Sequence, residues 1–291
     1  MSNKIKLVVT DMDGTLLTNA KERISKKNLE AIHKLQAHHI TFAIASGRDH
    51  NGVYEVLDHF NLHCEAILGN GAQYEDIHGN LVKECYMDHS VLKEVFHIFE
   101  SRNIPFMIFT KNGFYTTYKD HYVRDQFIKR CKHRFGNSDD MYEEGGRFAN
   151  SPCMQLQYIE DKDAFINSDI DVIKVEAFYF DESVMEAPRI ELKKINNIAY
   201  LSSFIDNIEV TAPNAQKGLI LEEVCKLKGI KKDEVAVLGD GMNDITLFEK
   251  FKYSFAPSNA VEEIKALAYN VSKLTCDEDG FAEQVELILQ L

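Results

Sequence analysis

Short apolar runs rich in β-branched residues, each stopping at a small or acidic residue, constrain this chain more than any other feature. Residues 5–10 read Ile-Lys-Leu-Val-Val-Thr and stop at Asp11, and residues 40–45 read Ile-Thr-Phe-Ala-Ile-Ala and stop at Ser46-Gly47-Arg48. Residues 65–68 stop at Gly69-Asn70-Gly71, and residues 234–238 stop at Gly239-Asp240. Runs this continuous belong to strands covered on both faces, as in a parallel sheet. Between them lie segments with helical spacing: 26–38, with Leu29, Ile32 and Leu35, and another near 51–60. The alternation predicts an α/β fold, a Rossmann-like parallel sheet with helices on both faces.

After Gly71 the alternation stops. Residues 74–82 read as a hairpin turning at His78-Gly79-Asn80. The stretch 84–209 mixes two predicted helices with strands at 106–110, 114–118, 154–159 and 172–180. Its loop 136–150, rich in Gly, Asn and Asp, is predicted to be mobile. Alternation returns near Thr211, with a helix at 217–228 and strands at 234–238, 253–256 and 270–272. The prediction is therefore an α/β core made of 1–83 and 210–291 that carries an inserted α+β domain over 84–209. A chain of 291 residues suits two domains and can bury a large core without disulfides or structural metals.

The charge balance narrows the partners. With 33 basic and 46 acidic residues the formal charge is −13. That argues against nucleic acid or an anionic membrane surface, which need a positive field. Lys193-Lys194 and Lys231-Lys232 are too short to make such a patch. The 6 cysteines lie far apart without a Cys-x-x-Cys pair and read as reduced thiols, and the 11 histidines show no metal-ligand spacing. No apolar run approaches the roughly 18 residues of a membrane span, and the start Met1-Ser2-Asn3-Lys4 lacks a signal peptide's apolar stretch. The expectation is a soluble cytoplasmic protein, monomer or small homo-oligomer. So acidic a chain binds a small phosphate compound only at a local positive site: a metal ion, a lysine or a helix N-terminus.

Four motifs at the run ends offer such a site. Asp11-Met12-Asp13-Gly14-Thr15 places two carboxylates two positions apart, which on a continuing strand face the same way. Asp and Gly favour turns, but turn formation does not explain two carboxylates directly after a buried strand. Open α/β sheets bind ligands at that end. Ser46-Gly47-Arg48 supplies a hydroxyl and backbone N–H groups before a helix, an anion site or a plain serine N-cap. Lys217 opens a helix, where a lysine opposes the dipole and a bound anion would relieve it. Gly239-Asp240-Gly241-Met242-Asn243-Asp244 clusters oxygen donors suited to Mg2+, and lacks the spacing of an EF-hand loop.

These four motifs in this order resemble the haloacid dehalogenase (HAD) superfamily of phosphohydrolases. The position and size of the insert are similar to its Cof-type subgroup with a C2-type (IIB) cap. The resemblance implies that Asp11 attacks phosphorus and that Asp13 protonates the leaving oxygen and then activates water. It implies phosphate ligands at Thr15, Ser46, Gly47, Lys217 and Asn243, with Asn70 near the substrate. It implies Mg2+ at Asp11, Asp13, Asp240 and Asp244. The cap would close over the core and choose the substrate. The resulting expectation is a Mg2+-dependent phosphatase for small phosphorylated metabolites, sugar phosphates first and FMN or pyridoxal phosphate second. The alternatives are a phosphosugar mutase with the same nucleophile and a non-catalytic phosphometabolite-binding protein.

Overall fold

The structure is a computed structural model that describes residues 4–18, 23–119, 121–135 and 148–291. The loop expected at 136–150, with the acidic pairs Asp139-Asp140 and Glu143-Glu144, lies outside these residues apart from 148–150. The chain divides into two units, Met1–Cys85 with Asn214–Leu291, and Tyr86–Pro213.

In chain order the strands are β1 (Leu7–Thr10), β2 (Thr41–Ala45), β3 (Glu65–Leu68), β4 (Gln73–Glu75), β5 (Leu81–Glu84), β6 (Phe106–Thr110), β7 (Gly113–Thr116) and β8 (Gln157–Tyr158), then β9 (Val172–Phe178), β10 (Ala199–Leu201), β11 (Asn207–Thr211), β12 (Val235–Leu238), β13 (Tyr253–Ala256) and β14 (Asn270–Val271). The longer helices are α1 (Lys26–Ala37), α2 (His50–His59), α3 (Leu92–Glu100), α4 (Tyr122–Phe135), α5 (Lys162–Ile166), α6 (Glu186–Leu192) and α7 (Lys217–Lys228), followed by α8 (Ile245–Lys250), α9 (Glu262–Leu267) and α10 (Gly280–Ile288).

The first unit is a sheet in the order β14-β13-β12-β1-β2-β3-β4-β5. The strands from β14 to β3 are parallel, and the β4–β5 hairpin adds antiparallel. Neighbouring residues of β1 serve opposite faces. Val8 packs in one apolar cluster with Ala31, Ile32 and Leu35 of α1, and Leu7 and Val9 pack in another with Ile220, Leu221 and Val224 of α7. That two-sided burial is why these strands read as unbroken apolar runs. α1 starts where the Ser25 side chain accepts from the Asn28 N–H and buries Asn28, Ala31, Ile32 and Leu35, the i, i+3, i+4, i+7 face. α7 ends at Gly229, whose φ of 65° closes the helix in the left-handed conformation.

The register aligns the strand ends. Thr10 lies opposite both Leu238 and Ile44, and Ala45 lies opposite Ile67. The next residues of β1, β2, β3 and β12 therefore leave the sheet along one edge. The chain runs from β1 to β2 and β3 on one side and returns to β12 on the other, so β1 and β12 form the switch point where open α/β sheets bind ligands.

The second unit is a six-stranded sheet in the order β10-β11-β9-β6-β7-β8, antiparallel except where β8 joins β7. One face packs Phe106, Ile108, Val175 and Val210 against Phe96 and Phe99 of α3 and Leu192 of α6. Two expectations change here. The strand expected at 154–159 shrinks to Gln157–Tyr158, because Pro152 starts a 3-10 turn over Pro152–Met154. Among the described residues the two expected helices are four, because α5 and α6 are too short to show a full amphipathic period.

Candidate active site

Asp11 is the first residue beyond β1, and its N–H still donates to the Leu238 carbonyl at 2.9 Å, so sheet pairing fixes its backbone. Its side chain turns inward beside Lys217, the first residue of α7. Lys217 is fully buried, and Nζ donates to Asp11 Oδ1 at 2.5 Å and to Asp244 Oδ1 at 2.7 Å. Burial alone would strip the ammonium of its charge, yet Asp11 and Asp244 hold its pKa above the ordinary lysine value. The strain expected of a lysine at a helix start is thus relieved by two carboxylates. Thr246 Oγ1 accepts from the Gly218 N–H at 3.0 Å and anchors the same helix start.

Asp244 is fully committed. While Oδ1 holds Lys217, Oδ2 accepts from the backbone N–H groups of Asp240 and Gly241 at 3.0 and 3.1 Å. It therefore ties the Gly239–Asp244 turn to the lysine. Asp240 Oδ1 accepts from Thr15 Oγ1 at 3.0 Å, which joins the first and last motifs. Gly14 makes the contact possible: its φ is 80°, and a Cβ there would stand 2.3 Å from Asp240 Oδ2.

Asp11, Asp240 and Asp244 each offer a carboxylate oxygen within 4.8 Å of the others, a group able to hold a metal ion. Burial, reinforced by the neighbouring carboxylates, pushes Asp11 well above the usual carboxylate range. Burial and Asp244 raise Asp240 to about 7. Four carboxylates, with Asp13, face the two cations Lys217 and Arg48. The imbalance matches the charge of one divalent cation, and the donors are the hard oxygens that Mg2+ prefers.

Asp13 is placed differently. Both its carboxylate oxygens receive Arg48, with Nε 2.8 Å from Oδ2 and Nη2 2.5 Å from Oδ1. In the sequence Arg48 is marked by nothing beyond its place at the end of Ser46-Gly47-Arg48, just before α2.

The remaining residues form the back of the site. Ser46 is buried and its Oγ accepts from the Arg48 N–H at 3.1 Å. It is not the N-cap of α2, since Asp49 takes that role by accepting from the Gly52 N–H. Asn243 Nδ2 donates to Asn70 Oδ1 at 3.1 Å. Asn70 sits at φ 60°, a left-handed conformation that Asn tolerates, with its N–H on the Ser46 carbonyl at 2.9 Å. Gly47 lies under this amide, where a Cβ would stand 2.9 Å from Asn70 Oδ1. Lys217 is oriented by Asp11 and Asp244.

A buried lysine between carboxylates at the switch point of a parallel sheet defines an α/β enzyme working at its strand ends. Residues 8–285 match the haloacid dehalogenase-like hydrolase family, and the chain belongs to it. Among curated proteins it is 28% identical to phosphatase YwpJ of Bacillus subtilis, over 98% of this chain and 100% of that one. It is 27% identical to the B. subtilis 5-amino-6-(5-phospho-D-ribitylamino)uracil phosphatase YwtE, over 98% of each. Among solved structures, a haloacid dehalogenase-like hydrolase from B. subtilis aligns with a TM-score of 0.83 at 27% identity, covering 97% of this chain and 99% of that one.

Proposed function

We propose that the protein is a Mg2+-dependent phosphatase that hydrolyses small phosphorylated metabolites through an aspartyl phosphate on Asp11. The observation that carries this reading is the buried Lys217 ammonium, 2.5 Å from Asp11 Oδ1. A phosphate monoester dianion repels a carboxylate nucleophile, and a fixed cation beside the attacking group offsets that repulsion without reorganising.

Asp11 and Asp240 would hold the Mg2+ ion, with Asp244 keeping the Asp240 loop in place; Asp13 is occupied by Arg48. When bound, the ion supplies Lewis-acid stabilisation of the phosphoryl oxygens. In the first step an Asp11 Oδ–P bond forms, the ester P–O bond breaks, and Asp13 gives its proton to the leaving oxygen. In the second, a water oxygen bonds phosphorus, the bond to Asp11 breaks, and Asp13 takes the water's proton. Lys217, the Ser46 hydroxyl, Thr15, the Gly47 backbone and Asn243 share the phosphoryl oxygens, with Asn70 supporting Asn243.

Sugar phosphates are the first substrate class, FMN and pyridoxal phosphate the second. The substrate in the name of the relative YwtE joins a phosphorylated ribityl chain to a uracil ring, which supports a sugar-like or a ring-bearing phosphate. The inserted unit, 84–209 by the sequence reading, is assigned substrate choice, and the activity is placed in the cytoplasm in a monomer or small homo-oligomer. Among the described residues no helix is long and apolar enough to cross a membrane.

Phosphate release from p-nitrophenyl phosphate and a panel of these metabolites tests the reading. Turnover is expected with Mg2+ and lost in EDTA. Full activity in chelator would remove Asp240 from its metal role, and an isomerised sugar phosphate with little free phosphate would favour the mutase.

A further inference from the structure

The fork between Arg48 and Asp13 has no assigned part in those two steps. Both side chains are partly open to water, 25% for Arg48 and 35% for Asp13, so burial does not hold the aspartate in one rotamer. The fork does. Arg48 Nη1 also donates to the Gly52 carbonyl in the first turn of α2 at 3.3 Å. Its backbone is fixed between two strand-end loops, by its N–H on Ser46 Oγ and by the Gly69 N–H on its carbonyl at 2.9 Å. An exposed ion pair held at one point is worth little, but a two-point guanidinium–carboxylate fork sets an orientation.

We propose that Arg48 is a positioning residue that aligns the Asp13 carboxylate for the second half-reaction, hydrolysis of the aspartyl phosphate. The inference rests on the phosphatase reading above. A carboxylate that receives hydrogen bonds on both oxygens is an acceptor on both, and the fork uses two of its roughly four lone-pair sites. The fork fixes the plane of the carboxylate, so the group that has given its proton in the first step is aimed to take one in the second. The step that takes one is water attack: the water oxygen bonds phosphorus, the P–Oδ electron pair returns to Asp11, and the water's proton passes to Asp13. A lysine at 48 would supply charge without the planar two-point contact.

Rapid-quench kinetics with p-nitrophenyl phosphate separate the two half-reactions, because p-nitrophenolate leaves without a proton donor. Arg48→Ala should release one p-nitrophenolate per site at a rate within about threefold of wild type, followed by steady turnover roughly thirtyfold slower, with phosphoenzyme accumulating. Arg48→Lys should remain at least about fivefold slow, and Arg48→Gln covers the case in which the alanine variant does not fold. A raised KM without phosphoenzyme, an equal fall in the first and steady rates, or unchanged turnover overturns the proposal. Asp13→Asn in the same assay separates the two ideas. If Asp13→Asn accumulates phosphoenzyme and the Arg48 variants do not, only the positioning role fails; if Asp13→Asn turns over at the wild-type rate, the assignment of Asp13 itself fails.

Discussion

Each unit of this protein buries a lysine between two carboxylates, and only one of the two is placed for chemistry. Lys217 lies between Asp11 and Asp244. Lys174 of β9 donates to Glu176 at 2.9 Å and Glu209 at 2.6 Å, with the Phe109 ring 4.4 Å from its ammonium. In both, burial opposes the charge and the two carboxylates hold the pKa above the ordinary lysine value. Their settings differ. Glu176 and Glu209 face each other in mid-strand across β9 and β11, a like-charge pair whose repulsion Lys174 offsets. Around Lys217 every partner sits beyond a strand end or in a Gly-rich turn, and a further carboxylate, Asp240, is left over. Burial and pairing are thus shared by the two clusters; position at the sheet edge and a third carboxylate distinguish the one proposed for catalysis.

The largest expected effects break this comparison in opposite directions. Asp11→Asn should lower phosphate release roughly a thousandfold or more while the protein still melts cooperatively, because it removes the nucleophile and little packing. Lys174→Met should do the reverse. Leaving the buried Glu209 and the half-buried Glu176 without their cation costs about 3–5 kcal/mol, while kcat of the folded fraction stays near wild type. Denaturant melts set beside phosphate release decide it. A Lys174→Met protein that keeps its stability and loses kcat would erase the distinction, as would an active Asp11→Asn.

A smaller effect reads the surplus charge itself. In the metal-free fold Asp240 keeps its proton up to about 7, against 3.8 ordinarily. The folded state then binds more protons than the unfolded one between those values, so this group's contribution to stability falls as pH rises from about 4 through 7. Asp240→Asn lacks that loss. In EDTA at pH 8 it should melt above wild type, by a few kcal/mol at most at about 1.4 per pKa unit, and the gap should shrink as pH falls and close near pH 4. Mg2+ at pH 8 should raise the wild-type melting temperature and leave Asp240→Asn nearly unmoved. A gap independent of pH would show that Asp240 is not the strained group.

The candidate site was legible in the sequence because of where it lies on the sheet. Parallel strands buried on both faces leave unbroken apolar runs, and the residues that stop those runs, Asp11, Ser46, Asn70 and Asp240, are the ones the register brings to one edge. Contacts between motifs left no such mark. Nothing in Ser46-Gly47-Arg48 says that Asp49, not Ser46, caps the helix, or that Arg48 reaches back to Asp13 across 35 residues. Lys174 and Glu176 alternate with apolar residues as any half-exposed strand would, and the neighbours on β6 and β11 are what bury Lys174. At 154–159 the strand shortens to Gln157–Tyr158 because the turn that Pro152 opens takes up the start of the stretch, which the residues of 154–159 alone do not announce.

The smallest effect asks whether a strand-end residue can serve the site without being part of the chemistry. Asn70 combines a backbone at φ 60° with an amide that accepts from Asn243. Asn70→Gly separates the two, since glycine takes that φ without strain and removes the amide. Losing one hydrogen bond while relaxing the backbone should change stability by no more than about 1 kcal/mol. Released from its partner, Asn243 should hold the phosphoryl group less well, lowering kcat/KM about fivefold, roughly 1 kcal/mol of transition-state binding. Asn70→Ala loses the amide as well and adds strain at φ 60°, so it should match the glycine variant in kcat/KM and fall about 1 kcal/mol below it in stability. If the glycine variant keeps full kcat/KM, the Asn70–Asn243 contact belongs with Lys174 on the structural side of the comparison.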